Sequence, residues 1–255
     1  MSQNLKFTTA ISGNTSQGLV LRNQKLEGLI KEADFVSTFF LSLVGRKPKD
    51  AEKTILNAIL VSAIDHGINP ASGFVPRVVA SSGGDVLSAM AASLLAIGPY
   101  HGGAISAAMN IFKTINEEGS DIEKACNNLV DSYSVDKKRI PGFGHPVYKD
   151  FDPRAKELFD LARKNDMDIQ FMNIAKQLEH SLDDKLSYKI KKKLILNIDG
   201  AIAALLLTIG IDSMAGNAIF GLARVAGSIA HIVEEQKSDK GVRRLTDEDV
   251  EYIST

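Results

Sequence analysis

Apolar residues recur at intervals of three and four along most of the chain, the spacing that places them on one face of an α-helix. This periodicity predicts helices over residues 25–45, 50–64, 72–97, 105–119, 121–133, 153–165, 168–188, 200–211 and 216–237. The first 20 residues differ, because the segment "SGNTSQG" at 12–18 indicates a turn between two short extended pieces. Strands and helices do not alternate as in a doubly wound sheet. We therefore predict an all-α protein with a short N-terminal β segment.

The charge and cysteine content exclude several classes of protein. The 255 residues include 30 Lys and Arg and 31 Asp and Glu, so the net charge of −1 gives no attraction to nucleic acid or to an anionic membrane. Cys126 is the single cysteine and is expected to be a buried hydrophobe. The N-terminus lacks the features of a secretory signal, and no apolar run reaches the ~18 to 20 residues that span a bilayer. We expect a cytoplasmic protein without a nucleic-acid or membrane partner.

The segment "RIPGFGHPVYKDFDPRA", residues 139–155, interrupts the helical pattern. Its prolines and glycines prevent a regular helix, and it also carries the imidazole of His145 and the fixed charge of Arg154. Such a segment is either a mobile connector with solvated charges or a loop that holds a ligand against its backbone.

Three of the five histidines lie where helices break. His66, His101 and His145 are flanked by glycine or proline, which lets a ligand approach the backbone closely. The alternative for each is a structural histidine that caps or hydrogen-bonds the chain. His180 and His231 fall in the middle of helical segments and are expected to be structural or surface groups.

Asp199, Arg154 and Arg224 are the charged residues most suggestive of chemistry. Asp199 lies between the apolar runs "LILNI" and "GAIAALLL", where loss of solvation would raise its pKa and make it a better base. The alternative is an aspartate that only caps the following helix. Arg224 lies in the apolar segment "FGLARVAGSIA" and needs an anion, as does Arg154; either a ligand carboxylate or a structural ion pair would serve.

Other kinds of site are not supported. The "GFGH" segment lacks the third glycine and the preceding strand of a dinucleotide-binding fingerprint. The chain also lacks the sequence motifs of P-loop nucleotide binding, of His-Glu-x-x-His zinc sites and of serine hydrolases. We therefore expect no metal site and no tightly bound cofactor.

Five segments, "DHG", "GPYHGGA", "GFGHPVYKDFDPRA", "LNIDG" and "ARVAGSIAH", occur in this order and together resemble the citrate synthase family. The resemblance runs from about residue 15 to the end of the sequence. It implies an all-helical fold in which a large domain, residues 1–102 and 206–255, and a small inserted domain, residues 103–205, close over the substrates. It also implies a homodimer or a higher homo-oligomer.

The resemblance implies catalytic roles for three residues. His101 takes the place of the histidine that hydrogen-bonds the thioester oxygen, His145 that of the histidine on the oxaloacetate carbonyl, and Asp199 that of the carboxylate base. A thioester α-proton is only weakly acidic, so a carboxylate removes it only if the developing enolate oxygen is stabilised at the same moment. Asp199 and His101 are therefore useful only as a pair.

The resemblance also implies which residues bind substrate. The groups expected to hold substrate carboxylates are His66, Arg154, Arg224 and one arginine from the tail of a neighbouring subunit, either Arg243 or Arg244. The residues expected to contact a coenzyme A thioester, which would be a substrate, are Gly142, Phe143, Gly144, Tyr148 and Lys149.

The direction of the reaction depends on departures from the family pattern. The chain is shorter than free-standing citrate synthases and close in size to the citrate-synthase-like module of ATP citrate lyase, and it has Gly200 where synthases usually carry an aromatic residue. Against this, His101 lies in a synthase-like "HGGA" segment. Pro146 also replaces the usual arginine after the loop histidine, a departure that bears on how the substrate or coenzyme A is held.

These features favour a citryl-CoA lyase, which cleaves citryl-CoA to acetyl-CoA and oxaloacetate, with His145 accepting the hydroxyl proton. The alternatives are a compact citrate synthase, which condenses acetyl-CoA with oxaloacetate, and a non-catalytic acyl-CoA-binding subunit.

Overall fold

The computed structural model describes residues 7–16, 18–119, 121–136, 138–238 and 241–253. Within them the chain is mainly helical, which confirms the predicted fold class. The helices are α1 (Leu26–Glu32), α2 (Phe35–Val44), α3 (Asp50–Ala63), α4 (Ala71–Ser81), α5 (Val86–Leu95), α6 (Ile105–Glu117), α7 (Ile122–Val135), α8 (Pro153–Lys164), α9 (Gln170–Ile190), α10 (Ile198–Thr208) and α11 (Gly216–Gln236). Two short 3-10 turns, Ser213–Ala215 and Asp247–Asp249, complete the helical content of the described residues.

A small antiparallel sheet precedes the helices. Its strands are β1 (Ser12–Thr15), β2 (Gly18–Leu21) and β3 (Gln24–Lys25), in the spatial order β1-β2-β3. The predicted short β segment is present, but the predicted turn at 12–18 is wrong in extent, because β1 occupies Ser12–Thr15 of that segment and pairs with β2. The third strand was not predicted.

Two of the predicted helices are each divided in two. The stretch 25–45 breaks before Asp34, whose carboxylate accepts a hydrogen bond from the backbone N–H of Ser37 at 2.9 Å and so begins α2. The stretch 72–97 breaks after α4, and Asp85 begins α5 by accepting from Ser88 N–H at 2.8 Å. In both places a side-chain cap satisfies the free N–H groups of a new helix, so the apolar periodicity continues while the helix does not.

The core is one large hydrophobic cluster centred on α10. Every residue of α10 from Gly200 to Leu206 is buried, and the helix packs against α6, α8 and α9. The cluster takes residues from α2 and α3 as well as from α6 to α11, so it spans the large and small domains expected from the sequence. The boundary between those domains stays a prediction. The burial of α10 places its first turn, and therefore Asp199, at the edge of the core.

One helical stretch, Ser213–Gln236, is long and apolar enough to cross a bilayer by length and composition alone, with a mean hydropathy of 1.2 over its best window. The sequence-based statement that no stretch reaches this length is therefore wrong. Only 44% of that window is buried within the fold, and the core helix of a globular protein passes the same test.

Candidate active site

Asn197, rather than Asp199, caps the N-terminus of α10. The side-chain oxygen of Asn197 accepts hydrogen bonds from the backbone N–H groups of Asp199 at 3.0 Å and Gly200 at 3.2 Å. The capping role considered for Asp199 is thus filled by another residue. Among the described residues, the Asp199 carboxylate has no hydrogen-bond or ion-pair partner, which leaves it available to a ligand.

Burial raises the pKa of Asp199 to about 6. The positive charges of Arg154 and Arg224 act in the opposite direction, and the negative charge of Asp152 adds to the rise. A carboxyl group with this pKa exchanges its proton near neutral pH, as a general acid or base must. The expectation that an apolar setting would raise the pKa of Asp199 is therefore confirmed.

The segment around Gly142 and Gly144 is fastened to the chain that enters α10. Gly144 N–H donates to the carbonyl of Ile195 at 2.7 Å, and Asn197 N–H donates to the carbonyl of Gly142 at 3.1 Å. The side-chain amide of Asn197 also donates to Gly144 O at 2.9 Å. Of the two interpretations of this segment, these bonds favour an ordered loop over a mobile connector.

Gly142 and Gly200 are required by a close approach of two backbones. A Cβ atom on Gly200 would lie 2.5 Å from the carbonyl oxygen of Gly142, and a Cβ on Gly142 would lie 2.8 Å from the Cα of Gly200. Gly142 also has a φ of +88°, a conformation that favours glycine. The loop therefore packs directly on the first turn of α10.

The imidazole of His145 is held in one tautomer. Its Nδ1 accepts hydrogen bonds from the backbone N–H groups of Val147 and Tyr148, both at 3.1 Å, so the neutral ring carries its proton on Nε2. Burial lowers the pKa of His145, which favours that neutral form. Nε2 lies 3.4 Å from Nη2 of Arg154. Both nitrogens are donors, so a ligand oxygen between them would accept from both.

Asp152 holds Arg154 in place. The Asp152 carboxylate accepts from Arg154 Nη2 at 2.8 Å, from Arg154 Nε at 3.1 Å, and from the backbone N–H groups of Arg154 and Ile198 at 3.0 Å each. Burial raises the pKa of Asp152, but the hydrogen bonds and charge of Arg154 outweigh burial and lower it overall. Arg154 thus has the structural ion pair that its sequence allowed, and it also faces His145.

Arg224 has a different setting. It is buried on α11, where its Nε donates to the carbonyl of Ala63 at 3.0 Å and its Nη1 donates to the hydroxyl of Ser72 at 2.9 Å. In the part of the chain that the structure describes, no carboxylate lies within ion-pair distance of Arg224. A buried guanidinium without a protein anion suits an anionic ligand.

Ser72 joins Arg224 to His101. The Ser72 hydroxyl accepts from Arg224 and lies 2.7 Å from Nε2 of His101, to which it can donate its single proton. Burial, then the charges of Arg224 and His66, lower the pKa of His101 and keep the ring neutral. When Ser72 donates to Nε2, the proton of the neutral ring lies on Nδ1, which can donate to a ligand oxygen.

The glycines after His101 allow this arrangement. A Cβ on Gly102 would lie 2.2 Å from the ring of Phe220, and a Cβ on Gly103 would lie 2.4 Å from the carbonyl of Gly98. The backbone of His101 is bonded to Gly98 in both directions, at 2.8 and 2.9 Å. The turn that carries His101 is therefore fixed by packing on both sides.

His66 is an exposed side chain in the segment between α3 and α4. Partial burial lowers its pKa first, and the charges of Arg154 and Arg224 lower it further, while Asp65 and Asp152 raise it. His66 in turn contributes to the lowered pKa values of the other two site histidines. His66 therefore lies within electrostatic range of both arginines and both histidines.

Each of the two arginines connects Asp199 to one of the site histidines. Arg154 faces His145 and acts on the pKa of Asp199, while Arg224 reaches His101 through a serine and also acts on Asp199. The structure thus brings residues of five distant segments to one region. Their contact with a substrate stays a prediction.

The tail arginines have different settings. Arg243 makes two hydrogen bonds to the buried carboxylate of Glu235, at 2.6 and 2.8 Å, and Arg77 donates to the same carboxylate at 2.7 Å. Arg244 is exposed, and no salt bridge includes it among the described residues. Arg243 is thus committed to its own chain, whereas Arg244 can reach another molecule.

A cavity of about 590 Å³ lies beside the loop of His145. Basic and apolar side chains line it together: Tyr133, Ser134, Lys138, Arg139, Ile140, Phe143, Gly144, His145, Pro146, Leu182, Leu186, Lys192 and Leu194. Its size lies in the range of small-molecule pockets.

The residues expected to contact coenzyme A divide into two groups. Phe143 and Gly144 line this cavity. Gly142 packs on α10, Tyr148 stacks on the ring of His145 at 4.6 Å, and Lys149 is exposed with its ammonium group donating to the Pro146 carbonyl at 3.4 Å. These last three have structural contacts of their own, and their contact with coenzyme A stays a prediction.

Sequence reasoning missed several residues that the site depends on. Asp152 and Asn197 could have been found, since each precedes a helix and is a good N-cap residue. The basic residues of the cavity follow from the runs "DKKR" and "KKK" at 136–139 and 191–193. Ser72 has no such signal, because its partners lie 29 and 152 residues away.

Comparison with known proteins assigns the chain to a family. Residues 6–245 match the family model described as citrate synthase, C-terminal domain. The protein named citrate synthase 2 from Bacillus subtilis is 32% identical over 210 residues, which cover 82% of this chain and 54% of that protein. The chain belongs to the citrate synthase family, as its motifs suggested, and spans about half the length of the curated relatives it matches.

Two solved structures illustrate the similarity. Citryl-CoA lyase from Hydrogenobacter thermophilus is 36% identical with a TM-score of 0.87, and the match covers 98% of this chain and 95% of that one. Citrate synthase from the archaeon Thermoplasma acidophilum, in a ternary complex with carboxymethyl coenzyme A and oxaloacetate, is 30% identical with a TM-score of 0.70, and the match covers 87% and 58% of the two chains.

Proposed function

We propose that this chain is a citryl-CoA lyase, which cleaves citryl-CoA to acetyl-CoA and oxaloacetate. The observation that carries the proposal is the similarity to the Hydrogenobacter citryl-CoA lyase along nearly the whole of both chains. The Gly142–Gly200 contact supports it, because an aromatic residue at position 200, as citrate synthases usually carry, does not fit against the loop backbone.

The reaction breaks the bond between the hydroxyl-bearing carbon of citryl-CoA and the methylene carbon next to the thioester. The hydroxyl oxygen becomes the carbonyl oxygen of oxaloacetate and releases its proton. The bonding electron pair passes to the thioester side as an enolate, and Asp199 delivers a proton to its carbon to give the methyl group of acetyl-CoA. One proton is released and one is consumed, so exchange with solvent returns the enzyme to its starting state.

Each oxygen that gains charge or loses a proton meets a donor. The Nδ1 proton of His101 stabilises the enolate oxygen, and the Nε2 proton of His145 hydrogen-bonds the oxygen of the forming carbonyl. The expectation that His145 accepts the hydroxyl proton stays a prediction and requires the other tautomer, because in the resting tautomer Nε2 is a donor and Nδ1 is occupied by backbone N–H groups. In the resting tautomer the hydroxyl proton passes to solvent.

The carboxylates of the substrate are held by His66, Arg154 and Arg224, as the family resemblance implies. Arg244 of a neighbouring subunit is the tail arginine that joins them, since Arg243 is occupied by Glu235. The coenzyme A part of the thioester occupies the 590 Å³ cavity. There the lysines and arginine of the rim face the phosphates and the leucines face its apolar parts.

A homodimer is part of this proposal, and the surface of the chain supports it. Large apolar side chains are exposed on and beside α5 and α11, including Leu87 at 75%, Leu95 at 86%, Tyr100 at 99% and Met214 at 88%. Exposed apolar groups of this size are typical of protein interfaces. Light scattering on the protein and on a Leu95→Glu variant tests the dimer: the wild type should have twice the mass of the variant.

A coupled assay tests the activity. Citryl-CoA is supplied to the protein, and oxaloacetate is measured by NADH oxidation through malate dehydrogenase. Rapid NADH oxidation by the wild type, and none by Asp199→Asn, supports cleavage. Free citrate and coenzyme A as the main products would overturn the proposal, and no turnover in either direction with intact coenzyme A binding would indicate a non-catalytic subunit.

A compact citrate synthase is the second candidate, and the tautomer of His145 favours it. A ring that carries its proton on Nε2 is already a donor to the carbonyl of oxaloacetate, which condensation must polarise. The same protein incubated with acetyl-CoA and oxaloacetate would then release free coenzyme A, which a thiol reagent detects.

A further inference from the structure

His231 was expected to be only a structural or surface residue, but it lies in a hydrogen-bonded chain that ends beside His66. Its Nε2 is 2.9 Å from the Asp65 carboxylate, and its Nδ1 is 3.1 Å from Nη1 of Arg77. A carboxylate only accepts and a guanidinium only donates, so the ring is neutral with its proton on Nε2.

The backbone that carries His66 depends on these contacts. The Asp65 carboxylate, held by His231, accepts from the backbone N–H of Gly67 at 3.1 Å. In the part of the chain that the structure describes, the His66 side chain has no hydrogen bond of its own. Its position is therefore set by the residues on either side of it.

Two close backbone approaches fix the same segment between helices. A Cβ on Gly227 of α11 would lie 2.0 Å from the carbonyl oxygen of Ile64, and a Cβ on Gly73 of α4 would lie 2.4 Å from the carbonyl oxygen of Gly67. His231 is four residues after Gly227, on the same face of α11. Helix α11 thus contacts the segment that carries His66 at two places, through its backbone at Gly227 and, one turn later, through the imidazole of His231.

We propose that His231, held by Arg77 and bonded to Asp65, is a positioning residue that sets where His66 meets the substrate. The inference rests on the substrate-binding role of His66 in the proposed function. Arg77 also donates to Glu235, which binds Arg243, so the same network reaches the C-terminal tail.

The first experiment needs no substrate. NMR of imidazole-labelled protein follows the titration of His66, whose surroundings include Arg154, Arg224, Asp65 and Asp152. In a His231→Leu variant we expect His66 to move away from the two arginines, so its pKa rises toward the ordinary value. His231→Gln retains an amide that can donate to Asp65 and should restore most of the wild-type titration.

The second experiment measures ligand affinity by calorimetry. Oxaloacetate should bind about tenfold more weakly to His231→Leu, as expected for the loss of a charged hydrogen bond, while coenzyme A affinity stays at the wild-type value. His180→Leu is the matched control, because His180 is exposed and, among the residues that the structure describes, pairs only with Asp184 one turn away. That variant should match the wild type in both experiments.

The outcomes separate this inference from the proposed function. An unchanged His66 titration in folded His231→Leu overturns the inference, as does an equal loss of oxaloacetate and coenzyme A affinity. If the wild type neither cleaves citryl-CoA nor binds oxaloacetate, the proposed function fails, and the His66 titration still decides whether His231 positions it. Should His231→Leu fail to fold, Asp65→Asn is the second variant and oxaloacetate affinity is its readout, because loss of the Asp65 charge by itself lowers the pKa of His66 and favours an anion. Weaker oxaloacetate binding then supports the inference, and unchanged or tighter binding overturns it.

Discussion

The carbonyl oxygen of Gly142 lies against the Cα of Gly200, so closely that neither residue has room for a side chain. This contact joins the loop that carries His145 to the first turn of the helix that carries Asp199. His145 and Asp199 are 54 residues apart in sequence, and one backbone contact with its hydrogen bonds fixes the relative position of the segments that carry them.

Replacing Gly200 by alanine is expected to destabilise the protein and displace the loop. The new methyl group would meet Gly142 O at 2.5 Å and Leu196 Cδ1 at 2.6 Å, and overpacking of this kind costs roughly 1–3 kcal/mol. Denaturant unfolding measures the loss. Gly28→Ala is the control, because a Cβ there meets nothing within 4 Å and alanine suits a helix. Equal stability of the two variants would contradict the close contact.

The pH dependence of turnover is expected to depend on the ionisation of Asp199. Its pKa of about 6 leads to different pH profiles for cleavage and for condensation. Cleavage needs the protonated acid, so kcat/KM for citryl-CoA should be constant below pH 6 and fall about tenfold per pH unit above it. Condensation needs the carboxylate, so its kcat/KM should fall as the pH drops below 6. Asp199→Asn should lose about 10²- to 10⁴-fold in turnover and retain coenzyme A binding.

A Ser72→Ala variant should lower turnover through His101. The substitution removes the donor to His101 Nε2 and leaves a buried N–H of Arg224 without its acceptor, at a cost of about 1–3 kcal/mol. A double-mutant cycle with His101→Ala measures the coupling. Additive effects of the two substitutions on kcat/KM would show that Ser72 does not act through His101.

Substitutions of the two tail arginines are expected to change different properties, the free energy of unfolding for one and substrate binding for the other. Arg244→Ala should raise the KM for citryl-CoA and leave the free energy of unfolding unchanged, because Arg244 is exposed. Arg243→Ala should instead destabilise the fold, since it breaks the pair with the buried Glu235. If Arg243→Ala instead raised the KM and Arg244→Ala destabilised the fold, the two arginines would have the opposite roles.

Glu235 gives this pair a defined pH dependence. Hydrogen bonds from Arg243 lower the pKa of Glu235 from 4.5 to about 2, with burial opposing them. A lowered pKa in the folded state means that the stabilisation is fully present above pH 4.5 and is lost as the pH falls through 2. Glu235→Gln should therefore lose roughly 3 kcal/mol at pH 7, and the difference from the wild type should shrink toward pH 2.

The sequence predicted what depends on periodicity and on motif residues. The helical fold follows from the spacing of apolar residues, and the apolar runs around Asp199 predicted that its pKa would be raised. The family resemblance named His101, His145 and Arg224, and the structure places all three in one region.

Long-range contacts could not be predicted from the sequence. Nothing local indicates that Ser72 bonds to both His101 and Arg224, because residues far apart in the chain show their relation only after folding. The divisions within 25–45 and 72–97 were missed for another reason. At Asp34 and Asp85 a cap begins a new helix, and apolar residues resume a helical spacing directly after it, so the spacing within the flanking helices does not show the break.

The candidate site residues fall into two separate sets. In one, Arg154 is hydrogen-bonded to Asp152 and faces His145, and in the other Ser72 joins His101 to Arg224; among the described residues no hydrogen bond joins the first set to the second. Each set is held by its own hydrogen bonds, and the helices that carry the two sets pack into the same hydrophobic core. A ligand that bridges both sets would supply a polar connection that the chain does not make between them, so its binding is expected to raise the free energy of unfolding.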